Sequence, residues 1–298
     1  MIIVRLMGGL GNQMFQYAAG RRLAQVHKVP LCLDLSYFDH QTKFAPFDTH
    51  RSYTLCYFNI IEKIASPDDQ KRSAYAWKNT ISAKIFRLIQ RGLPLQFRSV
   101  YWQKWHGFDP AVLNLGKHVV LNGYMQSWRY FADIQEIIRK EFTLREPFHP
   151  GNQCLADEIC SKTSVGVHIR RGDYVYNSTI NQVHGLCSLD YFHEAIKFMF
   201  QKVSNPHFFI FSDEPEWVKE NFKLNYPVTI MMHNGVERDY EDLYLMSRCQ
   251  HFIIANSSFS WWAAWLSSNN KKIIVAPKKW FASQYDPVDL LPDTWYRI

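Results

Sequence analysis

The chain reads as an α/β protein built from two Rossmann-like halves, on three observations. Short apolar runs rich in β-branched residues alternate with helix-patterned segments along its 298 residues. The alternation halts at Glu146-Pro147-Phe148-His149-Pro150-Gly151-Asn152, a stretch of helix breakers that fits an interdomain linker, and then restarts. Two small-residue turns, Gly8–Asn12 and Asn256–Ser258, each follow a strand pattern and open a helix pattern, as doubly wound sheets require. The expected division is a domain over 1–150 and a second over 151–298, facing each other across a cleft.

The elements follow in order. Ile2–Leu6 is apolar and β-branched, the signature of a buried strand. Gly8–Asn12 is a turn, and Gln13–His27 carries helical spacing through Met14, Tyr17, Ala18 and Leu23. Leu31–Leu35 reads as a second strand, Ser73–Gln90 as a helix with a basic face, Val119–Leu121 as a strand and Trp128–Phe142 as an amphipathic helix. Past the linker the expected strands are Val165–Ile169, Phe208–Phe211, Val228–Met231, Phe252–Ala255 and Ile273–Ala276. The helices between them are Leu189–Val203, Trp217–Phe222, Tyr240–Cys249 and Phe259–Leu266. Phe259, Trp261, Trp262 and Trp265 are expected to anchor the last of these in the core.

Composition narrows the function classes. Hydrophobic residues make up 47%, enough for real cores, and aromatics 16%, so a few can be spared for stacking on sugar faces while most fill the interior. Net charge is +7, but no run of five or six basic residues occurs. Lys271-Lys272 and Lys278-Lys279 merely flank the apolar Ile273-Ile274-Val275, so nucleic acid is not an expected partner. Six cysteines contain no Cys-x-x-Cys pair, which argues against structural zinc and a disulfide scaffold and for a reducing compartment. The start of the sequence lacks a signal-peptide pattern, and no apolar run approaches a membrane span. A soluble cytoplasmic protein is expected. Its basic Lys71–Arg91 segment reads first as a solvated face and second as a peripheral contact with the inner membrane.

Chemistry concentrates at His168-Ile169-Arg170-Arg171-Gly172-Asp173-Tyr174, a strand end crowded with two guanidiniums, an imidazole and a carboxylate. Arginine's planar fork matches phosphate oxygens, and ligands of open α/β sheets bind at the carboxyl ends of strands. The alternative is a structural ion pair between Arg171 and Asp173. Gly8-Gly9-Leu10-Gly11-Asn12-Gln13 lets backbone amides approach a ligand, yet Met14 replaces the last glycine of a dinucleotide fingerprint and no Walker lysine follows. A tight turn packing helix on strand serves as well. Asn256-Ser257-Ser258-Phe259 opens a helix whose N-terminus suits phosphate, with Ser257 and Ser258 equally able to cap it. Ser212-Asp213-Glu214 ends a strand, where a carboxylate can hold a ribose hydroxyl or cap the next helix. Asp242 lies on a helix, either solvated or turned to a ligand.

Taken together these motifs, with Asn122-Gly123-Tyr124-Met125-Gln126-Ser127 between them, resemble the inverting α-1,2-fucosyltransferases of glycosyltransferase family 11 over nearly the whole chain. The His-x-Arg-Arg element is similar to that of the wider fucosyltransferase superfamily. The resemblance implies a GT-B fold, a GDP-β-L-fucose donor bound by the second domain, no required metal or other cofactor, and a β-galactoside acceptor fucosylated at its 2-hydroxyl, within a surface polysaccharide. It implies that Arg170 contacts the β-phosphate, with Arg171 beside it, that His168 lies near the guanine and that Asp242 reads the base. Ser257, Ser258 and Phe259 would form the phosphate-binding turn, and Asn12 with Gly11 would face the donor from the first domain. Ser212, Asp213 and Asn256 complete the donor-side candidates. Relatives with α-1,6 specificity carry a catalytic Glu a few residues after the double Arg; here Asn177-Ser178-Thr179 offers none. Asp173 is then the first candidate base, Asp34 and Asp39 weaker ones, unless the acceptor proton leaves late. Rival readings are the same fold with another donor or linkage, such as GDP-mannose or α-1,3 transfer, and a non-catalytic nucleotide- or glycan-binding module.

Overall fold

A computed structural model describes residues 1–39, 50–75, 80–103, 107–232, 234–282 and 289–298. The chain forms two compact units, Met1–Thr143 with Pro287–Leu290, and Leu144–Asp286 with Leu291–Ile298. The division thus falls before the expected 150/151 boundary, and a short late segment returns to the first unit. That return is fixed by polar contacts: the Arg129 guanidinium pairs with Asp289 at 2.8 Å, and the Ser127 hydroxyl donates to the Asp289 carbonyl at 3.1 Å.

The first unit holds a four-stranded parallel sheet in the order β2-β1-β4-β3, with β1 Ile2–Arg5, β2 Leu31–Asp34, β3 Val100–Trp102 and β4 Val119–Asn122. Every residue of β1, β2 and β4 is buried, which is why they read as unbroken apolar runs rather than alternating ones. Helix α1, Leu10–His27, starts inside the expected turn, with Gly9 as its N-cap, and closes on Lys28 in the left-handed conformation. Helix α2 is the short Ser36–Asp39. The single helix expected over Ser73–Gln90 is two, α3 Pro67–Tyr75 and α4 Ile81–Gly92. Residues 76–79 lie outside the described residues, and the Thr80 hydroxyl caps α4 by accepting from the Ala83 N–H at 3.2 Å. The helix expected over Trp128–Phe142 is likewise broken. Two 3-10 turns, Trp128–Tyr130 and Ala132–Ile134, precede α5, Gln135–Glu141. Tyr130, which ends the first turn, is held by its buried hydroxyl, which accepts from the Asp109 N–H at 2.7 Å and donates to the Gly107 carbonyl at 3.3 Å.

The second unit holds a six-stranded parallel sheet in the order β10-β9-β8-β5-β6-β7. Its strands are β5 Ser164–Ile169, β6 His207–Ser212, β7 Val228–Ile230, β8 His251–Ile253, β9 Ile274–Ala276 and β10 Tyr296–Arg297. Central β5 pairs with β6 over its full length, placing His168 beside Phe211 and Ile169 beside Ser212. The helices are α6 Pro150–Ser161, α7 Gly172–Tyr176, α8 Ser178–His184, α9 Leu189–Lys202, α10 Pro215–Asn221, α11 Asp239–Ser247 and α12 Ser258–Leu266. The breaker cluster expected to be linker therefore launches a helix: Pro150 takes the first helical turn, where its missing N–H costs nothing. The buried Glu241 carboxylate holds that end in place, accepting from the His149 N–H at 3.1 Å and the Asn152 amide at 2.6 Å. Trp261 and Trp262 are fully buried, so α12 is anchored as its sequence implies, whereas Phe259 remains half-exposed.

Candidate active site

The second unit gathers most of the singled-out residues at the carboxyl end of β5 and its neighbours. β5 carries the chain to Arg170, whose side chain is mostly buried between two carboxylates, Asp173 at 2.5 Å and Asp213 at 3.1 Å. Burial alone would lower the Arg170 pKa; Asp213, then Asp173, outweigh it and raise it, so the guanidinium is permanently charged. Burial pushes the Asp213 carboxyl up, against the pull of Arg170 and of the Arg171 N–H that donates to it at 2.9 Å. Gly172 is dictated by this cluster, because a Cβ there would stand 2.3 Å from Asp213 Oδ2. A guanidinium has five N–H donors in a rigid plane. Two carboxylates grip it by different nitrogens and fix that plane at the strand end.

The pairing differs from the Arg171–Asp173 ion pair that spacing suggested. Asp173 holds Arg170, while Arg171 pairs with Glu214 at 2.9 Å and lies 3.4 Å from the Trp217 ring centre. Arg171 is thus a brace between β5 and α10, with its charge satisfied and its face stacked. In the sequence Glu214 reads as a ligand holder or helix cap at this strand end but not as the partner of Arg171, and Trp217 has no role beyond opening a helix. The Ser212 hydroxyl accepts from the Glu214 N–H at 3.0 Å and so shapes that turn.

His168 is buried, and its ring stacks on Phe259 with centroids 5.1 Å apart. Burial, then the nearby Arg170 charge, holds its pKa down to about 3, so the imidazole is neutral at any working pH. This stack joins the β5 end to the start of α12. A second route runs from Arg170 over the Tyr174 ring at 5.5 Å, and from the Tyr174 hydroxyl to the Asn256 carbonyl at 3.3 Å. Ser257 occupies the N-cap position of α12, but its hydroxyl makes no capping bond, and Ser258 is the first helical residue. The leading N–H groups of a helix lack intrahelical partners and carry positive potential. Asn256 anchors its loop. Its buried amide donates to the His184, Gly185 and Trp280 carbonyls and accepts from the Cys187 thiol, pinning the loop.

Asp242 sits on α11, half-buried, accepting from the Asn234 amide at 2.7 Å. Burial raises its pKa to about 7, the Asn234 bond opposes this, and Asp239 and Glu241 add to it. The solvated helix carboxylate is thereby set aside, and a carboxyl poised between its two forms takes its place.

In the first unit Asn12 and Gly11 lie in the first turn of α1. Gly8 is in the left-handed region at φ 76°, and a Cβ there would be 2.8 Å from Asn12 Nδ2. The Asn12 carbonyl oxygen accepts from the Gln126 amide at 2.7 Å. Two buried glutamines set the loop: Gln13 donates to the Gly8 and Ser52 carbonyls, and Gln16 exchanges bonds with the Met7 backbone. Asp34, a candidate base, is fully buried beside Arg5, with one oxygen accepting from the Ser36 N–H at 3.0 Å. Asp39 is exposed on α2. Among the described residues no group of three or more His, Cys, Asp or Glu side chains is placed to hold a metal ion.

A guanidinium fixed at the carboxyl end of a central parallel strand, next to a helix start, is an arrangement for gripping an anionic leaving group. The family model for Glycosyl transferase family 11 matches residues 1–295. This chain belongs to glycosyltransferase family 11. It is 35% identical over 306 residues to the alpha-1,2-colitosyltransferase of Escherichia coli, spanning 100% of this chain and 98% of that protein. It is 29% identical over 280 residues to the galactoside alpha-(1,2)-fucosyltransferase 2 of Pongo pygmaeus, spanning 90% of this chain and 69% of that one. Among solved structures, the NodZ alpha-1,6-fucosyltransferase soaked with GDP-fucose superposes with a TM-score of 0.53 at 18% identity, covering 89% of this chain and 91% of that one. The family 11 chain is thus a glycosyltransferase of the GT-B fold.

Proposed function

We propose that this protein transfers L-fucose from GDP-β-L-fucose to the 2-hydroxyl of a β-galactoside by a single displacement. The acceptor oxygen forms a bond to fucose C1 as the bond to the diphosphate oxygen breaks, so the β-linked donor gives an α-linked product and GDP departs. The observation that carries this reading is Arg170, held by Asp173 and Asp213 at the end of β5 and tied through Tyr174, His168 and Phe259 to the start of α12. In such a reaction charge builds on the leaving diphosphate, and donors fixed beforehand stabilise it without reorganising. Arg170 and the leading N–H groups of α12 supply that stabilisation in place of a metal ion, and Asp242 accepts from the guanine edge.

Asp173 acts here through Arg170. With one oxygen committed to the guanidinium, it orients the clamp, and the acceptor proton leaves late. Arg170→Ala is expected to lower kcat/KM for GDP-fucose by at least about a thousandfold, and Arg170→Lys by nearly as much, because a point charge cannot reproduce the fork. Near-normal turnover in either, with the fold intact by circular dichroism, would remove the clamp. Asp173→Asn separates positioning from proton transfer. A positioning role predicts a moderate loss in kcat with the shape of the pH–rate profile preserved; a vanished acidic limb would make Asp173 the base.

The donor has a second reading, favoured by the 35% identity to a colitosyltransferase. Colitose is fucose without its 3-hydroxyl, and a site built to bond that hydroxyl rejects the deoxy sugar strongly, whereas a site that ignores it does not. The ratio of kcat/KM for GDP-fucose and GDP-colitose, with product linkage read by NMR, decides between them.

A further inference from the structure

Helix α4 in the first unit is inverted relative to an ordinary surface helix. Ile81, Ile85, Leu88 and Ile89 fall at i, i+4, i+7 and i+8, the spacing of one apolar stripe, and they are 78%, 53%, 71% and 56% exposed. The opposite face is the one that packs: Ala83 and Gln90 are buried, and Phe86 lies against the cluster of Ile3, Cys32 and Val100. Gln90, a polar residue, points inward, its carbonyl oxygen accepting from the Ser99 and Val100 N–H groups at 2.8 and 3.3 Å. The greasy side of the helix therefore faces outward by construction, since turning it inward would strip β3 of those bonds. Phe97, in the turn after the helix, is 66% exposed as well.

We infer that this face of α4 docks the protein on an anionic lipid bilayer. Charge selects that occupant. The helix carries Lys84, Arg87 and Arg91 and no acidic residue, and Lys84 and Arg91, flanking the stripe, are both exposed. Cations flanking an apolar stripe match a surface whose anionic headgroups lie above hydrocarbon. A second copy of the chain would instead bring these cations against each other with no carboxylate on the helix to answer them. At 12 residues α4 is too short to span a membrane, and no described helix is long and apolar enough to do so; it would lie in the interface plane. The inference is independent of the donor and acceptor chemistry above.

The test uses the full chain floated with vesicles of phosphatidylethanolamine and phosphatidylglycerol, against vesicles of phosphatidylcholine alone. The expected result is binding to the first, weak binding to the second, and partial release by salt. The combined substitution Ile85→Ser, Leu88→Ser, Ile89→Ser should weaken binding more than about tenfold, and Lys84→Glu with Arg91→Glu should weaken it and remove most of its salt dependence. Since these side chains are exposed, melting temperature should hold in both variants. Absence of wild-type binding to the anionic vesicles overturns the proposal, as does full binding by the folded triple-serine variant. A dimer that the triple-serine variant breaks, with no vesicle binding, also overturns it and assigns the face to a second copy.

Discussion

At Asp242, burial and the neighbouring Asp239 and Glu241 raise the carboxyl to about 7, against one opposing bond from Asn234. If the carboxylate is the form that accepts from guanine, nucleotide binding releases a proton whenever the free protein holds one. GDP affinity is then expected to climb with pH, at most about tenfold per unit below 7, and to level off above it. Asp242→Asn should bind GDP weakly with a flat profile, read by calorimetry across pH. The same shift sets a stability term of definite sign. Between the ordinary carboxylate value and about 7 the folded state holds a proton that the unfolded state has lost, so Asp242 costs stability as pH rises through that window. Asp242→Asn is therefore expected to melt higher than the parent above pH 7 while failing to hold the nucleotide. His168 works in the opposite sense. Held down to about 3, it lets the unfolded chain take up a proton first, so its contribution is complete above pH 6.5 and is lost as pH falls from there toward 3.

Among the elements, α1 is the one most constrained by its neighbour. A Cβ at Gly20 would stand 2.0 Å from Val4 Cγ2, on buried β1. Gly20→Ala gains up to about 1 kcal/mol of helix propensity, yet overpacking against a strand costs about 1–3 kcal/mol, so net destabilisation is expected in a urea melt. Eight of the ten described strands were legible because parallel strands buried on both faces leave continuous apolar runs, and β1, β4, β5 and β6 were located within a residue or so at either end. What escaped were elements defined by contacts rather than pattern. β3 is three residues long, β10 is two, and α7 and α8 fall in a polar stretch. The helical pattern over Trp128–Phe142 opens instead as two 3-10 turns, and Tyr130 there is bonded to the earlier loop of Gly107 and Asp109, a contact that local spacing does not record. At the site the same limit holds. The crowd of charges at the end of β5 was readable, but which Arg takes which carboxylate depends on β6 standing beside β5, so Asp213 and Glu214 re-sorted the pairs.

At the scale of the whole molecule, Arg170, His168, Asp242 and the start of α12 all belong to the second unit. A ligand that binds only the native state stabilises by RT ln(1 + [L]/Kd), about 2.7 kcal/mol at a hundredfold excess over Kd. For a chain of this size each kcal/mol moves the melting temperature by roughly 2–4 °C, so saturating GDP should raise it by several degrees. The source of that shift discriminates between modes of phosphate binding. If Arg170 and the α12 N–H groups hold the diphosphate, the shift should be the same in EDTA as in magnesium, and it should shrink as salt screens the charges. Arg170→Ala should abolish most of it; it should also lower the ligand-free melt, because it leaves the largely buried Asp173 and Asp213 carboxylates facing each other without their shared counter-charge, so the GDP shift is read against that variant's own baseline. A GDP shift that vanishes in EDTA and returns with magnesium would hand the leaving group to a metal. A shift unchanged by Arg170→Ala would move the diphosphate away from β5.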